Sequence, residues 1–165
     1  MSITSDHEMY QHIVHDVMKA NYELLEAIAR NDWVSYEKYV DSTITCFEPE
    51  AAGHLIEGTD FHKFYFQQSA SSATAKKNKS ILASPSHLLP HSETTPSCLN
   101  TMARPHVRLL GQHAAVVSYV RLVQFVSENG AVQVKQYEET RIWQNKNMDG
   151  WRNVHMHRSQ IGTSE

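Results

Sequence analysis

Three arginines fall inside segments that read as β-strands, each on a largely apolar side-chain face. With a side-chain period of two, Arg121 shares a face with Val117, Tyr119, Val123 and Phe125, Arg141 with Tyr137, Glu139 and Trp143, and Arg158 with Val154 and Met156. A guanidinium does not give up its proton, so one that leaves bulk water requires a hydrogen-bonded anion or a water molecule. Two arrangements meet that demand. The three converge on one cavity and bind a carboxylate or phosphate, or Glu48, Glu50, Glu138 and Glu139 neutralise them in an internal ion-pair network. His62 follows Phe61 on a helical segment and reaches the concave side of the sheet, either to touch a ligand or to hydrogen-bond a carbonyl. The same groups allow acid–base chemistry, with Glu48 or Glu50 as base and His62 or Tyr65 as acid.

Other chemistries find less support. His155 and His157 share a strand face, but the sequence fixes no third ligand, so no metal site is expected. Cys46 is a nucleophile only beside an electropositive neighbour that lowers its pKa, and a small strand cysteine reads as core. Neither a phosphate-cradling glycine loop nor a kinase catalytic motif occurs, and no cofactor is expected.

These residues need a scaffold to hold them. Tyr10, Ile13, Val14, Val17, Met18, Leu24, Leu25 and Ile28 recur at helical spacing, interrupted at Asn21, and predict a long helix ending near Asn31. Ser5-Asp6-His7-Glu8 has the form of a capping box for its start. Asp32 is placed to cap a short second helix carrying Trp33, Tyr36 and Val40, and the β-branched run over 42–47 predicts a strand that Glu48-Pro49-Glu50 interrupts. Asp60 is the expected cap of a third helix, with Phe61, Phe64 and Tyr65 as its apolar face. From 69 to about 97 the Ser, Ala, Thr and Lys mixture, with Pro85, Pro90 and Pro96, predicts a mobile loop. Four β-rich segments follow, near 99–110, 114–127, 131–145 and 151–159, and the turn residues between them predict an antiparallel meander. Helices followed by a long curved meander make an α+β domain with the helices packed on one sheet face.

Composition narrows the class. The 165 residues, with 15 Lys and Arg against 18 Asp and Glu, suit one soluble domain spanning 1–165 and give no broad nucleic-acid or membrane footprint. Cys46 and Cys98 lack a disulfide framework, and no apolar run nears the ~20 residues of a membrane span, so the expected address is the cytoplasm. The 11 histidines decide nothing by number alone.

Several sequence words occur in one order: Phe47-Glu48-Pro49-Glu50-Ala51, Ile56-Glu57-Gly58, Asp60-Phe61-His62-Lys63-Phe64-Tyr65-Phe66, Tyr119-Val120-Arg121-Leu122, Glu138-Glu139-Thr140-Arg141-Ile142-Trp143 and Asn153-Val154-His155-Met156-His157-Arg158-Ser159. Together, over about 22–159 apart from the loop, they closely resemble the association, or hub, domain of calcium/calmodulin-dependent protein kinase type II. The resemblance implies a cone-shaped fold like that of nuclear transport factor 2, with a long helix in the concavity of a strongly curved antiparallel sheet. It further implies a non-catalytic domain that pairs into dimers and closes into two stacked rings, a homo-oligomer that is commonly a dodecamer or tetradecamer and gathers kinase domains. The family's pocket arginines correspond to Arg121, Arg141 and Arg158, and its pocket histidine to His62. With Glu48, Glu50 and Glu139 these form the candidate pocket, for small carboxylates or an acidic peptide.

Two features depart from the family. The stretch 70–97 exceeds the usual connection and either caps the pocket or projects from its rim. The kinase and calmodulin-binding segments that normally precede a hub are not found in 1–165, so the chain reads as an excised domain or a stand-alone homologue. A small isomerase or cyclase, or a ligand carrier, on the same scaffold is the alternative, since fold does not dictate function.

Overall fold

The structure is a computed structural model that describes residues 3–68, 98–127 and 129–162. The expected loop over 69–97 lies outside the described residues. Helix α1 (Ile3–Ala29) is already helical at Ile3, so Ser5 lies within its first turn and not at the cap the sequence suggested. Its periodic residues Val17, Leu24 and Leu25 are fully buried, and so is the interrupting Asn21, whose amide donates to the Met102 sulfur. The helix stops where Asn31 takes a left-handed conformation, with φ of 55°. Asn31 also donates from its side chain to the Phe66 carbonyl, tying the end of α1 to a later helix.

Asp32 accepts from the Ser35 amide and caps α2 (Trp33–Tyr39), as expected. Val40, expected on that helix, instead begins β1 (Val40–Phe47), because the backbone turns extended immediately after Tyr39. A single 3-10 turn at Pro49–Ala51 supplies the interruption after β1. The short β2 (Ile56–Glu57) returns alongside β1, and Gly58, with φ of +76°, then turns the chain into α3 (residues 60–68) while its amide donates to the Ile44 carbonyl. Asp60 is the first residue of α3 and not its cap.

The apolar face expected on α3 is wrong in detail. Phe64 and Tyr65 are exposed, whereas His62 is buried and Phe66 packs edge-on against Trp33 and beside Tyr36. The cause is the direction from which α2 meets α3: the aromatic rings of Trp33 and Tyr36 present themselves to positions 62 and 66, one turn apart.

The meander forms as expected from β3 (Leu99–Leu109), β4 (Ala114–Val126), β5 (Val132–Gln144) and β6 (Arg152–Gln160). The six-stranded sheet has the order β2-β1-β6-β5-β4-β3, and α1 and α2 bury their apolar faces on it. All neighbours are antiparallel except β1 and β6, which run parallel, so the sheet is not wholly antiparallel. Register shifts interrupt the β1–β6, β3–β4 and β5–β6 pairings, and such irregularities bend and twist a sheet. The shift in β6 leaves Val154 without a partner and turns Asn153 inward in its place, which corrects the expected Val154-Met156-Arg158 face. No helix among the described residues is long and apolar enough to cross a membrane.

Leu24 is fully buried between α1 and the sheet, where Ala would leave a cavity. Leu24→Ala is expected to cost about 2–5 kcal/mol, read as a lower midpoint in urea unfolding with an unchanged slope.

Candidate functional site

Strand register brings the polar residues together. Glu139 on β5 lies directly opposite Tyr119 on β4 and directly opposite Arg158 on β6, while Arg121 on β4 pairs with Tyr137 and so sits one step along the same face. Two polar nodes result.

The inner node centres on Glu139, which is 2% exposed. One carboxylate oxygen accepts from Arg121 at 3.1 Å, and the other accepts from Arg141 Nη2 at 3.0 Å and from the Tyr119 hydroxyl at 2.6 Å. Two further guanidinium donors are engaged by side chains: Arg121 Nε donates to Asn100 at 2.8 Å and Arg141 Nη1 to Asn153 at 2.9 Å. Burial works to raise the Glu139 pKa, but the charges of Arg141 and Arg121 and the Tyr119 hydrogen bond outweigh it and hold it at about 2. Burial pushes the Tyr119 hydroxyl up to about 12, so it remains a donor.

The outer node centres on Arg158. Its Nη2 donates to Glu48 at 2.9 Å and to Glu50 at 2.6 Å, and its guanidinium lies 5.0 Å from the centre of the Tyr137 ring. Its Nε is buried without a hydrogen-bond partner. Glu48 also meets His62 at 3.3 Å, and the His62 Nδ1 lies 2.8 Å from the Tyr36 hydroxyl. Burial works to raise the Glu48 pKa, yet the His62 hydrogen bond and the Arg158 charge leave it below its ordinary value. Burial and Glu48 push the Cys46 thiol up to about 12, so it is not the nucleophile considered from sequence.

Arg121 and Arg141 of the inner node and Arg158, Glu48, Glu50 and His62 of the outer one line one cavity of about 240 Å³, together with Tyr36, Tyr65, Phe66 and Met156, while Glu139 sits behind the arginines and does not line it. The three arginines face three carboxylates, so their formal charges cancel. The internal network considered from sequence is therefore present, and it coexists with a cavity.

The structure gathers Arg121, Arg141, Arg158, His62, Glu48, Glu50 and Glu139, the full candidate set. Glu138 is not part of it, because the strand period turns its side chain to the exposed face. His155 and His157 face away too: His155 lies 2.8 Å from the Thr45 hydroxyl, and both rings pack beside Phe47. Sequence reasoning missed Asn100, Asn153 and Tyr36. Asn100 is revealed only by the β3–β4 register and Asn153 only by the irregularity in β6, whereas the sequence placed Tyr36 on α2 without marking it as part of the site.

The family model for the calcium/calmodulin dependent protein kinase II association domain matches residues 14–97 and 91–162. The chain belongs to this association-domain family. The alpha chain of calcium/calmodulin-dependent protein kinase type II from Drosophila melanogaster is 40% identical over 144 residues, which cover 87% of this chain and 23% of the relative. The association domain thus spans about a quarter of the length of the curated relatives it matches. Among solved structures, a CaMKII hub homology domain from Chlamydomonas reinhardtii is 46% identical with a TM-score of 0.69, covering 90% of this chain and 98% of that one. A nuclear transport factor 2-like protein from Salmonella enterica, 16% identical with a TM-score of 0.61 over 94% of this chain and 96% of its own, shows the same fold.

Glu139→Gln removes the one charge between two buried guanidiniums and is expected to cost about 3–5 kcal/mol in chemical denaturation. The Glu139 pKa is depressed on folding, so its contribution is fully present above the unfolded value of about 4.5 and is lost as pH falls toward about 2. Acid unfolding of the unmodified chain should therefore steepen through that window, and the variant should lose part of that dependence.

Proposed function

We propose that this association domain is a self-assembling hub. Copies pair and close into a two-tiered ring, a dodecamer or tetradecamer, that gathers calcium/calmodulin-dependent protein kinase II subunits. The observation that carries this reading is the match to a hub homology domain along nine-tenths of the chain. An uncovered apolar surface supports it. Val126 and Val132 pair across the β4–β5 hairpin, Val134 and Leu99 flank Gln124 on the neighbouring positions, and all four apolar side chains are exposed.

The cavity is the second element of the proposal: it takes a small carboxylate or the acidic side chains of a peptide. Glu139 is sealed between two guanidiniums, but Glu50 is 39% exposed at its side chain and, among the described residues, is held through Arg158. An entering carboxylate displaces Glu50 from Arg158 and accepts in addition from the unpartnered Nε, a two-point contact that Glu50 alone does not make. The isomerase or cyclase alternative loses support from the same groups. Both candidate bases are ion-paired to Arg158, and the low pKa of Glu48 makes it a weak proton acceptor.

Native mass spectrometry near physiological salt, with light scattering to guard against dissociation, is expected to show a closed dodecamer or tetradecamer. A monomer or dimer would mean that the lateral contacts are missing and would put the carrier or enzyme reading first. For the cavity, calorimetry with acetate or a dicarboxylate should show binding that Arg158→Ala abolishes and Glu50→Gln strengthens several-fold. Equal affinity in the unmodified chain and in Arg158→Ala would sink the carboxylate reading without touching the assembly reading.

A further inference from the structure

Cys46 and Glu48 are two residues apart, and the extended backbone of β1 continues through Glu48, whose φ and ψ are −149° and 156°. Alternation therefore puts both side chains on one face. His62 descends onto that face from α3, with its Nε2 at 3.4 Å from Cys46 Sγ and 3.3 Å from a Glu48 oxygen. All three residues are buried, and their three donor atoms lie within 4.8 Å of one another. A single ring nitrogen thus faces both a thiol and a carboxylate.

We infer that Cys46, Glu48 and His62 form a binding site for a divalent zinc ion, with the fourth coordination position left to water from the cavity. The two edges that meet at His62 Nε2 fit. Tetrahedral zinc with bonds of about 2.3 Å to sulfur and about 2.0–2.1 Å to nitrogen and oxygen sets its sulfur–nitrogen edge at about 3.6 Å and its nitrogen–oxygen edge at about 3.4 Å. The donor types fit as well, since one thiolate, one imidazole and one carboxylate suit zinc better than calcium or magnesium, which prefer oxygen-rich shells. Thiolate and carboxylate together cancel the charge of the ion.

The surroundings match those of a metal site. A ligating histidine donates its other ring N–H to a fixed partner, and here the Tyr36 hydroxyl stands 2.8 Å from His62 Nδ1; in the metal-bound tautomer the ring proton sits on Nδ1 facing Tyr36, in place of the Nε2 position from which His62 hydrogen-bonds Glu48, and the Nε2 lone pair is free for the ion. Glu48 has its second oxygen held by Arg158 at 2.9 Å, so its first points steadily at His62. Glu48 and His62 both line the cavity, which gives water access to the open position. Binding releases the Cys46 thiol proton to solvent while the ion takes up the thiolate, and no redox change is involved. The inference stands whether or not the cavity takes a carboxylate.

Cobalt(II) serves as the spectroscopic probe for the metal-free full chain. Expected is one saturable ion per chain with a thiolate-to-cobalt charge-transfer band, displaced by zinc, lost in Cys46→Ser and retained in Cys98→Ser. Exposed histidines bind cobalt without that band, so they do not mimic the result. Tyr36→Phe should keep the band but weaken zinc binding about 10- to 100-fold. X-ray absorption of the zinc-loaded unmodified chain, which needs no variant to fold, should show one sulfur at about 2.3 Å among nitrogen and oxygen neighbours. The absence of the band in the unmodified chain, an all-nitrogen-and-oxygen shell, or a band that follows Cys98 instead of Cys46 would each overturn the assignment.

Discussion

A carboxylate sealed from water between two guanidiniums is the constraint on which this structure rests. Glu139 takes hydrogen bonds from Arg121, Arg141 and Tyr119, and each of those donors belongs to the strand on which it lies or to the strand beside it. The cost of desolvating three charges is offset only if every donor and acceptor is satisfied, so the register of β4 against β5 is fixed by electrostatics as well as by apolar packing. A one-residue slip of β5 would turn Glu139 and Arg141 to the outside together and leave Arg121 without its carboxylate. Asn100 and Asn153 complete the shell from β3 and β6, so one ionic group ties four strands together.

The outer node obeys a different rule. Arg158 shares its charge between Glu48 and the half-exposed Glu50, keeps one donor idle, and rests on the face of Tyr137. The inner node is closed and structural, whereas the outer one holds an incomplete set of contacts at the edge of the cavity. Both the proposed carboxylate binding and the proposed zinc site draw on this second, less complete group. They share Arg158, which takes the entering carboxylate in the one and steadies Glu48 in the other.

Much of this arrangement is legible in the amino-acid sequence, for a physical reason. Strand parity is a short-range rule, so the inward aim of Arg121 and Arg141 follows from alternation alone. Turn residues mark the meander, and Asp32 marks the start of α2. What parity does not report is any break in itself: the irregularity in β6 exchanges Val154 for Asn153, and only the paired strand reveals it. The choice between a bound anion and an internal network also depends on three-dimensional register, and the structure contains the network and a cavity at once. The buried face of α3 is misread from sequence because apolar character points to Phe64 and Tyr65, while the neighbouring aromatic rings of α2 select His62 and Phe66. Cys46, taken alone, reads as a core residue. Its proximity to His62 requires a helix to fold back over the strand.

The parallel pairing of β1 with β6 places Cys46 beside Met156, far apart in the chain's order. Contacts of such long sequence separation carry a loop-closure cost, because the intervening chain must be ordered or closed as a loop. During synthesis, β1 has no neighbour on that side until β6 has been made. Glu48 likewise has no Arg158 to meet until then. Completion of the cavity therefore requires β1 to lie beside β6, and a formed outer node reports that this pairing has been made.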